Sequence, residues 1–186
     1  MLKKVTVHII ITVLFLSFTA RTGKGYEHSK LVDSILILQP RLPVSEANKI
    51  ASAIKSVYTD GTCTIPWQLV VSIAFHESTF RISAVNKKSM DYGMMQISKN
   101  NVKRFGLSKD RLMRDYAYGL RVACHLITYN QSKYAGKIPY WVGIYRSGTA
   151  LWKENIKKNA IQYDRMIRRT AAKIGYHSDT SLARNP

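Results

Sequence analysis

Pro66-Trp67-Gln68-Leu69-Val70-Val71-Ser72-Ile73-Ala74-Phe75-His76-Glu77-Ser78-Thr79-Phe80 is the stretch on which the reading of this chain turns. Pro66 suits the first turn of a helix, where its missing N–H is no loss. Val70, Ile73, Ala74 and Glu77 fall at i, i+3, i+4 and i+7, so a carboxylate continues the apolar stripe. Desolvation on that stripe disfavours the charged form. The nearby helix C-terminus opposes negative charge as well. Both effects raise the pKa, as a general acid working near neutral pH requires. The plainer alternative is a glutamate that ends its helix and bends out to solvent.

A second motif follows on a polar loop spanning residues 81–92: Asp91-Tyr92-Gly93-Met94-Met95-Gln96-Ile97. Glu77-Ser78-x-Phe80, Ala84-Val85-Asn86 and Ser89-x-Asp91-x-Gly93-Met94-Met95-Gln96-Ile97 together resemble the soluble lytic transglycosylases. These lysozyme-like enzymes cut the glycan strands of peptidoglycan. The family pattern is Glu-Ser, then Gly-Leu-Met-Gln, then Ala-Tyr-Asn-x-Gly, then a late Tyr. An Asp two residues before the Gly is similar to the small subgroup that serves secretion and conjugation machines. In the third motif, Ile144-Tyr145-Arg146-Ser147-Gly148 keeps Tyr and Gly but has Ile for Ala and Arg for Asn; Tyr163 stands in the late position. The resemblance runs from about Leu31 to Ile174 and implies a lysozyme-like, all-α fold.

It also implies a chemistry. Glycoside cleavage usually needs two carboxylates, yet of the four Glu (Glu27, Glu46, Glu77 and Glu154) only Glu77 has such a context. The implied scheme uses one carboxylate. Glu77 protonates the leaving oxygen, then takes the proton of the sugar's own 6-hydroxyl as a 1,6-anhydro ring closes, with the substrate N-acetyl group assisting. By the same resemblance, Ser78 and Gln96 position Glu77 or the N-acetyl sugar, and Tyr145 and Tyr163 orient the Glu77 carboxyl. Gly93 would let backbone approach the ligand. Met94 and Met95 either line the groove or fill the core. Asp91 either stabilises positive charge at the sugar, holding water as a hydrolase would, or ties down its own loop. Arg146 either pairs with a substrate carboxylate or faces solvent.

Composition fits this reading and limits its rivals. The 186 residues are 46% hydrophobic, enough for one domain with a real core. The formal charge is +18, and residues 1–20 contribute only Lys3 and Lys4 to it. Such a chain seeks anionic partners: wall polymers, lipid headgroups or nucleic acid. No zinc-finger spacing, RNA-recognition signature or basic-zipper heptad is present, so no specific nucleic acid is expected. The five histidines are scattered and no Cys/His ligand spacing occurs, so neither metal nor cofactor is expected. The partners expected are peptidoglycan strands and, through the subgroup resemblance, a secretion or conjugation apparatus or a phage particle. The competing functions are a goose-type-like hydrolase and a non-enzymatic wall-binding assembly protein.

Met1-Leu2-Lys3-Lys4 followed by the apolar run from Val5 to Ala20 has the layout of a secretory signal. Cutting after Ala20 would put Phe18 where a small residue belongs, so residues 1–20 read as a signal peptide or a signal-anchor. In either case the remainder is exported to the periplasm or envelope, or carried on a virion. Residues 21–28 read as a linker, 29–174 as the domain and 175–186 as a disordered tail. Cys63 and Cys124 are the only cysteines, an even count that permits a disulfide but also two unpaired thiols.

Helices are expected from Ser29 to Gln39, from an N-cap at Ser45, over the Glu77 stretch and from Ser98 to Phe105, where Gly106 closes the last. Further helices are expected from Asp115 to about Tyr134, after Pro139 up to Gly148, and along Ile156, Ala160, Tyr163, Ile167, Thr170 and Ile174. The last carries Lys157, Lys158, Arg165, Arg168, Arg169 and Lys173 on its other side. That face reads as solvated rather than as a membrane surface. No strand-period run stands out.

Overall fold

The computed structural model describes residues 27–134, 140–147 and 153–177. The signal or anchor over 1–20, most of the linker and most of the tail lie outside these residues, as do Pro139 and Gly148. Among the described residues no helix is long and apolar enough to cross a membrane.

The architecture is helical. In chain order it comprises α1 (His28–Leu38), α2 (Val44–Thr59), α3 (Trp67–Ser78), β1 (Val85–Asn86), β2 (Asp91–Tyr92), β3 (Ile97–Ser98), α4 (Lys99–Arg104) and α5 (Lys109–Leu112). Then come α6 (Tyr116–Tyr134), a 3-10 turn (Trp141–Gly143), α7 (Ile144–Ser147) and α8 (Glu154–Lys173). Helix α3 packs against α8, α1 and α6 both lie on α2, and the 3-10 turn sits between α6 and α8. The core is one cluster in which Leu31, Ile35, Ile50, Ile54, Leu69, Ile73, Leu120, Ile127 and Ile167 are essentially inaccessible. These positions follow the helical periods of the sequence, because a helix lacking an apolar stripe has nothing to bury.

Helix starts depart from expectation in one instructive place. Ser45 is not the N-cap of α2; Pro43 takes that position with φ −57° and ψ 137°, and Val44 is the first helical residue. The Pro43 carbonyl accepts the Glu46 and Ala47 N–H groups. A ring-fixed φ lets the helix begin at once, so no side-chain cap is required. Ser98, expected as the first residue of its helix, is the N-cap of α4 instead and accepts the Asn101 N–H, while Asp115, expected to open the long helix, accepts the Tyr118 N–H from Oδ1 at 2.9 Å.

The loop expected over 81–92 is partly a sheet. β1, β2 and β3 pair antiparallel in sequence order, with Val85 opposite Tyr92 and Asp91 opposite Ser98. Two-residue strands are too short to show an alternating pattern, so the sequence carries no signal for them.

Cys63 and Cys124 form a disulfide with their Cα atoms 5.3 Å apart. It joins the segment leading into α3 to the middle of α6. Beside it Arg121 on α6 donates from Nε and Nη2 to Asp60 Oδ2 at 3.0 and 2.8 Å; the hydrogen bond from the Thr62 hydroxyl, and after it those from Arg121, hold the Asp60 carboxyl down at about 2. The C-terminal end of α2 and the approach to α3 are thus fastened to one helix.

Candidate active site

Helix α3 delivers Glu77 one residue before its end. Leu69 through Ala74 are all buried, so the helix sits in the core and its last turn emerges half-buried. The chain then leaves through two consecutive residues in left-handed backbone, Thr79 at φ 52° and Phe80 at φ 65°. A β-branched residue there is strained, at a cost of roughly 1–3 kcal/mol. Burial of the Phe80 ring, which leans on Phe75 with centroids 5.9 Å apart, holds that geometry in place. Ser78 does not reach the Glu77 carboxyl. Its hydroxyl donates back to the Ala74 carbonyl at 3.4 Å, and its own carbonyl accepts Arg81 Nε–H at 3.1 Å. Its place is in finishing the helix.

The Glu77 carboxyl meets Tyr163 from α8, whose hydroxyl donates to Glu77 Oε1 at 2.5 Å. Burial pushes the Glu77 pKa up, the bond from Tyr163 and the field of Arg146 pull it down, and the charge of Asp91 pushes it up again. Burial is the largest of these, so the net direction is upward. An upward shift of this kind is what a general acid needs. The same surroundings raise the Tyr163 hydroxyl well above its ordinary value, so it stays a donor.

Tyr163→Phe tests this contact. Loss of a hydrogen bond to a charged group should lower turnover roughly 10-fold or more. Because that bond stabilises the carboxylate, its loss raises the Glu77 pKa further. The alkaline fall-off of the rate, where the acid loses its proton, should therefore move to higher pH. An unmoved pH profile in a folded variant would show that Tyr163 does not govern the carboxyl.

Of the remaining motif residues, Gly93, Gln96 and Tyr145 make their described hydrogen bonds and close contacts with backbone rather than with the Glu77 carboxyl. Gly93 has φ +76°, and a Cβ there would stand 2.1 Å from the Leu112 carbonyl oxygen. The close approach that requires glycine is to α5, not to a ligand. Gln96 donates from Nε2 to the carbonyls of Gly93 at 2.9 Å and Ala84 at 3.2 Å, locking the turn that joins β2 to β3. Met94 and Met95 are core residues, 2% and 1% exposed, so neither lines a groove. Tyr145 donates to the Met95 carbonyl at 2.6 Å, so it braces this turn rather than orienting Glu77 by a hydrogen bond. Asp91 is half-buried on β2 and accepts from the Ser89 hydroxyl at 2.5 Å. The loop returns it close enough for its charge to act on both Glu77 and Tyr145.

The 3-10 turn and α7 carry Tyr145 and Arg146 to the site, and α8 fixes them there. A Cβ at Gly143 would lie 1.9 Å from the Ala160 carbonyl oxygen, so backbone rests directly on backbone. Buried Asp164 holds Arg168 at 2.7 Å, and the Arg168 guanidinium lies over the Trp141 ring at 5.9 Å. His76, one residue before the carboxylate, has Nε2 2.7 Å from Thr170 Oγ1, and burial lowers its pKa. None of these supports was singled out for the site from the sequence. Gly143 precedes the motif by one residue, whereas the Asp164–Arg168 pair has the i, i+4 spacing of any helical ion pair. Beyond Tyr163, a cleft of about 460 Å³ opens between Arg146 and the Ile156, Asn159, Gln162 and Met166 face of α8.

Among the described residues no group of three or more His, Cys, Asp or Glu is placed to hold a metal ion. The residues gathered here are one half-buried acid, a tyrosine donor, and an Asp and an Arg whose charges reach the acid. Comparison with known proteins adds one match. A family model described as the transglycosylase SLT domain covers residues 59–167, more than half of the chain, and takes in Glu77, the Asp91–Ile97 turn, Tyr145 and Tyr163. No curated protein and no solved structure matches. Helix α3 with its terminal acid, the Gly93 turn and the tyrosine of α8 all fall within that match, and the chain belongs to the transglycosylase SLT domain family.

Proposed function

We propose that this protein is an exported lytic transglycosylase that cleaves the β-1,4 bond between N-acetylmuramic acid and N-acetylglucosamine in peptidoglycan. Family membership supports a lytic-transglycosylase-type action on peptidoglycan. The observation that carries the finer reading is half-buried Glu77 at the end of α3, gripped by Tyr163 and with its pKa raised by burial. Protonated Glu77 gives its proton to the glycosidic oxygen as the bond from that oxygen to C1 breaks. The carboxylate so formed takes the proton of the 6-hydroxyl, whose oxygen bonds to C1. No water enters, and the acid is restored. The N-acetyl carbonyl supports C1 between the two steps, as substrate assistance does elsewhere.

One observation favours a second reading. Asp91 lies near enough to act electrostatically on Glu77, and a carboxylate there can hold a water that competes with the 6-hydroxyl, making the enzyme in part a hydrolase. The two readings share a substrate and differ in their product.

The site of action follows from the chain's other features. A basic start with an apolar run to Ala20 and a disulfide both suit a secreted protein. We place it in the periplasm or envelope, or on a virion. The Asp91-x-Gly93 spacing supports a local role in opening the wall for a secretion, conjugation or phage-entry apparatus. Incubation of the full chain with purified peptidoglycan should release soluble muropeptides. Binding to the wall with no release over long incubation would instead identify a non-enzymatic assembly protein.

A further inference from the structure

We infer that Arg146 builds an anion subsite in the cleft next to Glu77, and that it selects glycan strands bearing a carboxylate on the muramic acid substituent. The inference rests on the glycan-cleaving reading above and specifies its substrate. Arg146 lies on α7 directly after Tyr145, and its guanidinium stands over the Tyr163 ring with Cζ 5.5 Å from the centroid. The stacking holds the planar group against the tyrosine that grips Glu77. The side chain is nonetheless exposed and lines the cleft of about 460 Å³. Among the described residues Arg146 forms no ion pair with a carboxylate of the chain. Its field reaches Glu77 without forming an ion pair.

The walls around it narrow the ligand. Asn159 and Gln162 offer amide donors and acceptors, while Ile156 and Met166 offer apolar surface. Arginine, amides and aliphatic groups around one cleft suit a carboxylate joined to short alkyl and amide segments. Muramic acid presents such a group in two forms: the free lactyl carboxylate of strands without peptide, and the carboxylates of the attached peptide. A guanidinium binds either one with two parallel hydrogen bonds. Glucosamine-only strands offer neither.

Calorimetry on the full chain and its Arg146→Asn variant separates these cases with three probes. They are a peptide-free muramyl tetrasaccharide, its peptide-bearing counterpart and a neutral N-acetylglucosamine tetramer. Both proteins carry Glu77→Gln so that no probe is consumed. Arg146→Asn should weaken at least one muramyl probe by about 10-fold, the low end for a charge-assisted bond at an exposed site. The neutral tetramer should lose less than twofold. The muramyl probe that loses more identifies the carboxylate recognised. Equal losses on all three probes, or none on any, would overturn the subsite while leaving the glycan-cleaving reading in place. If the Arg146-intact protein binds none of the three, both fall together.

Discussion

Glu77→Gln should reduce the rate of peptidoglycan cleavage by at least about 100-fold, the usual scale for a lost acid–base group, while the protein becomes more stable at neutral pH. The amide keeps the volume of the side chain and can still accept the Tyr163 hydroxyl, so the site around it has no reason to collapse. It cannot donate or take the catalytic proton. The stability gain follows from the raised pKa of the carboxyl. A group that binds its proton more tightly when folded contributes most at low pH, and that contribution fades as pH rises past the ordinary carboxylate range toward the folded pKa. As pH rises the wild-type site increasingly bears the cost of a desolvated charge, and glutamine removes that cost. Melting curves at pH 4 and pH 7 should therefore show a gap in favour of the variant that is wider at pH 7. Near wild-type clearing of walls by a folded variant would remove Glu77 from the mechanism.

Opening the Cys63–Cys124 bridge should have the largest effect on stability. The two residues are 61 apart in sequence, and releasing a loop of that length costs about 4 kcal/mol in the chain-entropy picture. Against a typical total of 5–15 kcal/mol, that is a large share. It corresponds to a fall of roughly 10 °C or more in Tm for a domain of this size. The bridge also anchors the residues just ahead of α3, so activity should be lost at lower temperature under reductant than without it. Both sulfurs are buried, so reduction needs partial unfolding or a Cys63→Ser, Cys124→Ser double substitution. Equal denaturation midpoints for the oxidised and disulfide-free proteins would show the bridge to be energetically idle.

Much of the fold was legible because helices advertise themselves. Leu31 and Ile35, Ile50, Ile54 and Val57, and the long repeat from Ala160 to Ile174 each mark a stripe, and each stripe is buried. The placement of Glu77 at the end of an apolar helix was legible for the same reason. The small sheet was not, because two-residue strands have no period to display. Nor was the division of labour within the site. Ser78, Gln96 and Tyr145 are polar residues in a motif, and a sequence cannot say whether a polar group faces a ligand or a backbone carbonyl. All three make hydrogen bonds to backbone carbonyls: Ser78 to Ala74, Gln96 to Gly93 and Ala84, and Tyr145 to Met95. Tyr163 approaches Glu77 across 86 residues of sequence, a contact that only the packing of α8 on α3 creates. Gly93 was legible as a glycine of necessity, but the neighbour that makes it necessary is the Leu112 carbonyl.

Mass spectrometry of the muropeptides released from purified peptidoglycan by the full chain tests the central claim most directly, because one acid recycling its own proton leaves a distinct mark on the product. The expected products end in 1,6-anhydro-N-acetylmuramic acid and carry no reducing end there. Products ending in reducing N-acetylmuramic acid, with water incorporated from labelled solvent, would contradict it and assign the chain to the hydrolases.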